Sequence, residues 1–230
     1  MVENTMTVTQ DAPQSLQTPQ TLPAGGPDRD RFDWAEAWYP VHYVEDLDPT
    51  RPTRFTLLDQ DIVIWWEPQA ATWRVFADQC PHRLAPLSEG RINEAGQLEC
   101  PYHGWAFSGE GACEHIPQAA ADSEALTSNR ACAKSMPTTV HQGLLFVYPG
   151  KAENAAQVPV PGIDPLVEEP DGWVLLNTIR DLPYGALPLL ENVLGASRIH
   201  CTHRETVGKR ENAAPMEMEV LESGKQGFKG

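Results

Sequence analysis

Two short segments carry the residues best suited to chemistry: Cys80-Pro81-His82-Arg83 and Cys100-Pro101-Tyr102-His103-Gly104-Trp105, with seventeen residues between His82 and Cys100. Each supplies one thiolate and one imidazole. Two thiolates and two imidazoles are the donor set of a mixed-ligand [2Fe-2S] cluster, in which replacing two thiolates by neutral imidazoles lowers the negative charge and raises the potential. One residue between donors in the first segment and two in the second let each loop reach both irons, and the prolines stiffen the approach. The same four residues would also serve a structural Cys2His2 zinc site. Zinc fingers usually pair Cys with Cys and His with His, whereas each segment here is mixed.

The other histidines and cysteines offer less. His42, His115 and His141 have no second donor at metal spacing. Cys113 and Cys132 can be written as a pair, but five cysteines and an N-terminus without a basic start and apolar run argue for free thiols in a chain that is not secreted. Arg83 directly follows a candidate ligand, so its charge is placed either to stabilise a reduced cluster and dock an acidic donor or simply to be solvated.

The chain has 230 residues, a net charge of −15 and 41% apolar residues, enough for a substantial core. The acidic balance argues against nucleic acid as a partner. The strongest apolar run, Ile62 to Trp66, is far shorter than the roughly 18 residues of a membrane span. Residues 1–30, with four prolines, five threonines and four acids, are expected to be a disordered tail. From 31 to 148, short β-prone runs separated by turn residues predict a mainly β sandwich or barrel: Phe55 to Leu58, Ile62 to Trp66, Trp73 to Ala77, Trp105 to Phe107 and Leu144 to Tyr148. Five prolines and five acids in 149–172 predict a linker. Beyond it, Trp173 to Arg180 reads as a strand, residues 188 to about 200 as a helix opening on Pro188, and Met216 to Val220 as a further strand.

The segment from Trp38 through Gln142 resembles a Rieske domain of the oxygenase type, and the wider chain resembles the pheophorbide a oxygenase and chlorophyllide a oxygenase family. Further family-like stretches are Ile116-Pro117-Gln118-Ala119, Gln142 to Val147 and Leu190 to Leu194. Cytochrome-type Rieske proteins carry an extra Cys in each loop, and Leu84, Ala85 and Tyr102 stand at the candidate positions here. The resemblance implies a β-sandwich Rieske domain followed, at 173–230, by the incomplete start of an α+β catalytic domain of helix-grip type. It implies a [2Fe-2S] cluster held by Cys80, His82, Cys100 and His103, and ferredoxin as electron donor. The implied substrate is a chlorophyll-derived tetrapyrrole. A homotrimer and a place in the cytoplasm or peripheral to photosynthetic (thylakoid) membranes go with it. A stand-alone ferredoxin-like electron-transfer module is the rival reading, and a zinc-stapled β domain a lesser one.

The family also implies a mononuclear Fe(II) bound by two His and a carboxylate. Its helix motif falls on Asn192, Gly195, Arg198 and His203, of which Asn192 and His203 fit. Gly195 stands where the motif has Asp, and Arg198 where it has the first His. Arg cannot deprotonate in a protein, and at ~4 Å with an effective dielectric of ~20 its charge opposes a divalent ion by about 8 kcal/mol. On an unbroken helix His200 would face some 200° away from Arg198, so only a break in the helix lets it substitute. The family's third ligand lies beyond Gly230. The expectation is an intact cluster and an incomplete oxygenation site.

Overall fold

The computed structural model describes residues 32–120, 123–163, 172–195, 199–203, 205–215, 219–224 and 227–229. The expected tail, 1–30, lies outside them. The chain divides into two units, residues 33–215 and a second made of 1–32 with 216–230.

The larger unit is mainly β, as expected. Its central sheet has the order β2 (Thr53–Leu57), β3 (Gln60–Glu67), β4 (Thr72–Ala77), β9 (Ser135–Met136), all antiparallel. A second sheet pairs β1 (Tyr39–Tyr43) with β11 (Leu144–Val147) and β11 with β10 (Thr138–His141). The third is built from four short strands, β5 (Arg91–Ile92), β6 (Leu98–Glu99), β7 (Ala106–Phe107) and β8 (Cys113–His115).

Strand β3 explains why the run Ile62 to Trp66 is apolar without alternation. Successive side chains of a strand point to opposite faces, and here both faces are covered. Ile62 and Ile64 pack with Val41, Leu145 and Val147 of the second sheet. Val63 and Trp65 pack with Leu98, Phe107 and the thiol-bearing Cys80 and Cys100. The cluster-type motifs therefore sit on one side of a strand that anchors two cores. β2 and β3 are joined by Leu58 and Asp59, both at positive φ (49° and 60°), the two-residue turn whose twist suits an antiparallel hairpin.

The first part of the proline-rich stretch is docked. Helix α2 (Ala152–Ala155) follows the short α1 (Glu124–Thr127) in chain order, and its Ala155 is buried with Trp38, Phe146 and Tyr148. The Trp38 indole N–H donates to the carbonyls of Val158 (3.0 Å) and Ala155 (3.3 Å). The Glu36 carboxylate completes the clasp by accepting from the Tyr148 hydroxyl (2.7 Å), the Asn154 amide (2.7 Å) and the Lys151 backbone N–H (3.1 Å). Residues 164–171 lie outside the described segments.

These bonds, those from Asn154 and Tyr148 first, hold the Glu36 carboxyl below its ordinary value, and burial pushes the Tyr148 phenol up to about 12. A lowered native carboxyl stabilises the fold at pH above its unfolded value, and that stability is lost as pH falls through the native one. Glu36→Gln loses the charge and turns an amide donor toward one of three donors. Its melting temperature is expected to fall by a few degrees at pH 7, with the gap to the parent closing below pH ~4. Thermal melts at the two pH values check this.

Past residue 172 the sequence reading needs correction. Trp173 to Arg180 forms no strand: it is exposed along its length and has no pairing partner among the described residues, although the Asn177 amide donates to Glu45 (2.7 Å). The expected helix begins earlier and stops sooner, as α3 (Ala186–Leu194), with Pro188 in its first turn. Gly195 closes it, its N–H donating to the Glu191 carbonyl at 3.0 Å. A one-turn helix, α4 (Ile199–Thr202), follows.

In the smaller unit β12 (Glu222–Gly224) pairs antiparallel with β13 (Gly227–Lys229). Of the strand expected at Met216 to Val220, 216–218 lie outside the described residues, and Glu219 and Val220 are not in a strand.

Candidate metal centre

The two Cys/His segments fold into matched loops. The first leaves β4 and the second joins β6 to β7. In the first, the Cys80 N–H donates to the Ala85 carbonyl (2.8 Å) and the Leu84 N–H returns to the Cys80 carbonyl (2.8 Å). In the second, the Cys100 N–H donates to Trp105 (2.8 Å) and the Gly104 N–H to Cys100 (3.1 Å). The offsets from Cys are identical, and in both loops the fourth residue after Cys is left-handed, Leu84 at φ 58° and Gly104 at φ 73°. Glycine meets that requirement without cost, whereas leucine carries a steric penalty. A Cβ at Gly104 would also stand 3.0 Å from the Pro117 ring.

Each loop is braced from outside the motif. Asp78, the one buried charged residue among those described, accepts from the Ser88 N–H (2.7 Å) and hydroxyl (2.6 Å), tying together the two ends of the first loop. Against the second loop lies Ile116 to Ala119, whose Gln118 amide donates to the His103 carbonyl (3.2 Å).

This scaffold buries the sulfurs and presents the imidazoles. Cys80 is 1% exposed and Cys100 3%, within one core cluster. Burial pushes the Cys80 thiol up to about 12, and the adjoining Cys100 thiol adds to this. Backbone N–H groups of His82 and Arg83 act in the opposite sense, as they would toward a thiolate. His82 and His103 lie with ring centroids 4.7 Å apart at 56°, His82 stacks on Trp105 at 4.7 Å and 7°, and Tyr102 abuts His103 at 3.9 Å. Desolvation first, then His103 and Arg83, lower the His82 imidazole, favouring the neutral form a metal needs. The exposed rim is apolar and cationic, with Leu84 68% and Tyr102 62% exposed beside Arg83.

The donors fit an iron-sulfur cluster bound in pairs. The two thiols adjoin one another in the core and the two rings adjoin one another at the surface. A tetrahedral zinc would draw all four donors to one point, and among the described residues no three His, Cys, Asp or Glu side chains converge to hold a metal ion.

The residues expected at a mononuclear iron are not gathered in this way. Asn192 lies exposed on α3, and His203, also exposed, follows α4. Arg198 lies outside the described residues. His200, expected to point away on a continuous helix, instead follows a break: α3 ends at Leu194, so the rotation argument does not apply to it. Its Nδ1 is shielded from solvent and has no hydrogen-bond partner among the described residues. His42, His115 and His141 lie on β1, β8 and β10, outside the two loops.

Asp78 and Ser88 were not marked by the sequence, where the signal was position: an acid two residues before the first Cys, and a serine just past the end of its loop. Gln118 lay within a family-like stretch but was given no role there.

Known proteins share this fold and the stretch that carries the two loops. Residues 37–139 match the Rieske [2Fe-2S] domain family. The chain is 45% identical over 216 residues to a chloroplastic pheophorbide a oxygenase of Oryza sativa subsp. japonica, covering 92% of this chain and 41% of that protein. It is 41% identical over 179 residues to the chloroplastic flavonoid 8-hydroxylase 2 of Ocimum basilicum, covering 76% and 34%. Among solved structures, Pseudomonas putida CBB5 NdmA with caffeine superposes with a TM-score of 0.61 at 25% identity, covering 79% of this chain and 52% of that one. The chain thus spans about two fifths of the length of the pheophorbide a oxygenase it matches. Residues 37–139, with their paired thiols and paired imidazoles in two matched loops, are a Rieske [2Fe-2S] domain.

Proposed function

We propose that this protein relays single electrons as the Rieske component of an oxygenase system directed at a chlorophyll-derived tetrapyrrole. In this reading Cys80 and Cys100 hold one iron, and His82 and His103 hold the other. The observation that carries it is the division of the four donors into a buried thiol pair and a surface imidazole pair. When bound, a cluster of this type supplies reversible one-electron transfer. Cys80 and Cys100 place the more negative ligands in the core, where the His82 and Arg83 N–H groups face the Cys80 sulfur. His82 and His103 bring the other end to the surface, where the distance to a docked protein is shortest.

Ferredoxin is the proposed donor, with exposed Arg83 as the cation met by an acidic partner. Within the chain we assign 31–148 to the Rieske domain, 149–172 to a linker whose first part, through Val158, is docked on that domain, and 173–230 to part of a catalytic-type domain. Val174, Leu176, Leu187 and Val193 are exposed there, apolar surface that a completed domain would cover. A trimer and a place peripheral to photosynthetic membranes belong to the same proposal. No helix among the described residues is long and apolar enough to cross a membrane.

We further propose that the chain as it stands does not oxygenate pigment, because Gly195 offers no donor and Arg198 carries a permanent cation where the family motif has a ligand. Incubation with Fe(II), reduced ferredoxin and pheophorbide a, chlorophyllide a or a flavonoid, followed by chromatography, tests this. Reduction of the chain without oxygenated product is expected. Multiple turnovers to a hydroxylated pigment would overturn the incomplete-site reading, and turnover of the flavonoid alone would overturn the substrate class.

A further inference from the structure

We propose that Trp105 is a positioning residue that fixes the ring orientation of His82 across the gap between the two loops. The inference rests on the reading of His82 as a cluster ligand and adds a residue to that site. The two loops share a backbone plan, but the fifth residue after Cys differs. In the first loop it is Ala85 and in the second Trp105, and both accept the Cys N–H through their carbonyls. Only Trp105 carries a ring, and that ring does not stay with its own loop. It lies flat on the imidazole of the other loop, 4.7 Å away and 7° from parallel.

The stack has structural consequences for His82. This histidine is exposed, and no hydrogen bond is assigned to its ring among the described residues. The indole covers one imidazole face and restricts rotation about the bond that joins the ring to the backbone. Trp105 is itself fixed: it packs on the core cluster that contains Cys80 and Cys100, while its carbonyl holds the Cys100 N–H. One residue therefore couples the position of a thiol in its own loop to the orientation of an imidazole in the other.

The test compares the parent with Trp105→Phe, which keeps a stacking ring, and with Trp105→Met and Trp105→Leu, which fill space without one. In the cluster-free protein, NMR of the His82 ring protons is expected to show an upfield ring-current shift in the parent. The shift should be partly kept in Trp105→Phe and lost in Trp105→Met. In the loaded protein, cluster loss is expected to be several-fold to about tenfold faster in Trp105→Met and near the parent rate in Trp105→Phe, the size of effect one aromatic pair supplies. The EPR resonances of the reduced protein should broaden in the Met and Leu variants but not in Trp105→Phe. His82 shifts unchanged in Trp105→Met, or equal loss rates in Phe and Met, would overturn the proposal. If Met and Leu variants both fail to fold by circular dichroism, Trp105 is a core residue and the proposal also fails. A parent that takes up no cluster while keeping the ring-current shift would instead remove the ligand reading.

Discussion

Cys100→Ser is expected to abolish cluster binding while leaving the β fold in place. The substitution removes a soft sulfur donor and leaves a hydroxyl that is far harder to ionise in a site 3% exposed. The loop itself should survive, since the bonds from Cys100 N–H to Trp105 and from Gly104 N–H to the Cys100 carbonyl are backbone bonds. Iron content should fall more than about tenfold, because metal affinity depends on deprotonated donors and one of four is lost. Circular dichroism should still report the sheets, with melting of the cluster-free protein changed by no more than about 1–2 kcal/mol. Retention of full iron and sulfide in Cys100→Ser would show that Cys100 is not a ligand. Cys113→Ser is the control: its thiol is also buried and pushed up to about 11 by burial, yet it lies outside both loops and should leave iron content unchanged.

His103→Cys should lower the reduction potential by on the order of 100 mV or more, since mixed His/Cys clusters lie well above all-Cys ones. The added thiolate increases the negative charge at one iron and makes an additional electron less welcome. His103 is the better of the two histidines to replace. Its loop is held through the backbone, with Gln118 donating to the His103 carbonyl rather than to its ring, so the brace persists. The stack of Trp105 on His82 should also persist. Redox titration followed by EPR reads the shift. An unchanged potential in a variant that still holds the cluster would mean that the His103 ring is not bound to iron.

Much of this site was legible in the sequence because its information is local. Cys80 with His82 and Cys100 with His103 fall within four-residue spans, and the β runs at 62–66, 73–77 and 144–148 are short and apolar. What was not legible is long-range. The Asp78 brace joins residues ten apart through a hydrogen bond to Ser88. The Trp38 bonds reach residues 117 and 120 positions away. No local pattern announces either. The stretch around 152–158 read as linker because proline and acid dominate it, yet Ala155 is buried. Trp173 to Arg180 read as a strand because its side chains are β-prone, but a strand needs a partner, and none pairs with it among the described residues. The end of α3 depended on one residue. Gly195 was visible as a weak point, and in the structure it terminates the helix rather than merely loosening it.

The most direct test of the account is the metal and sulfide content of the purified protein, read together with EPR of the dithionite-reduced form at low temperature. The account predicts two irons and two acid-labile sulfides per chain, as a [2Fe-2S] site requires, with a rhombic signal of mixed His/Cys ligation that disappears in Cys100→Ser. One zinc per chain, no labile sulfide and no signal on reduction would contradict it.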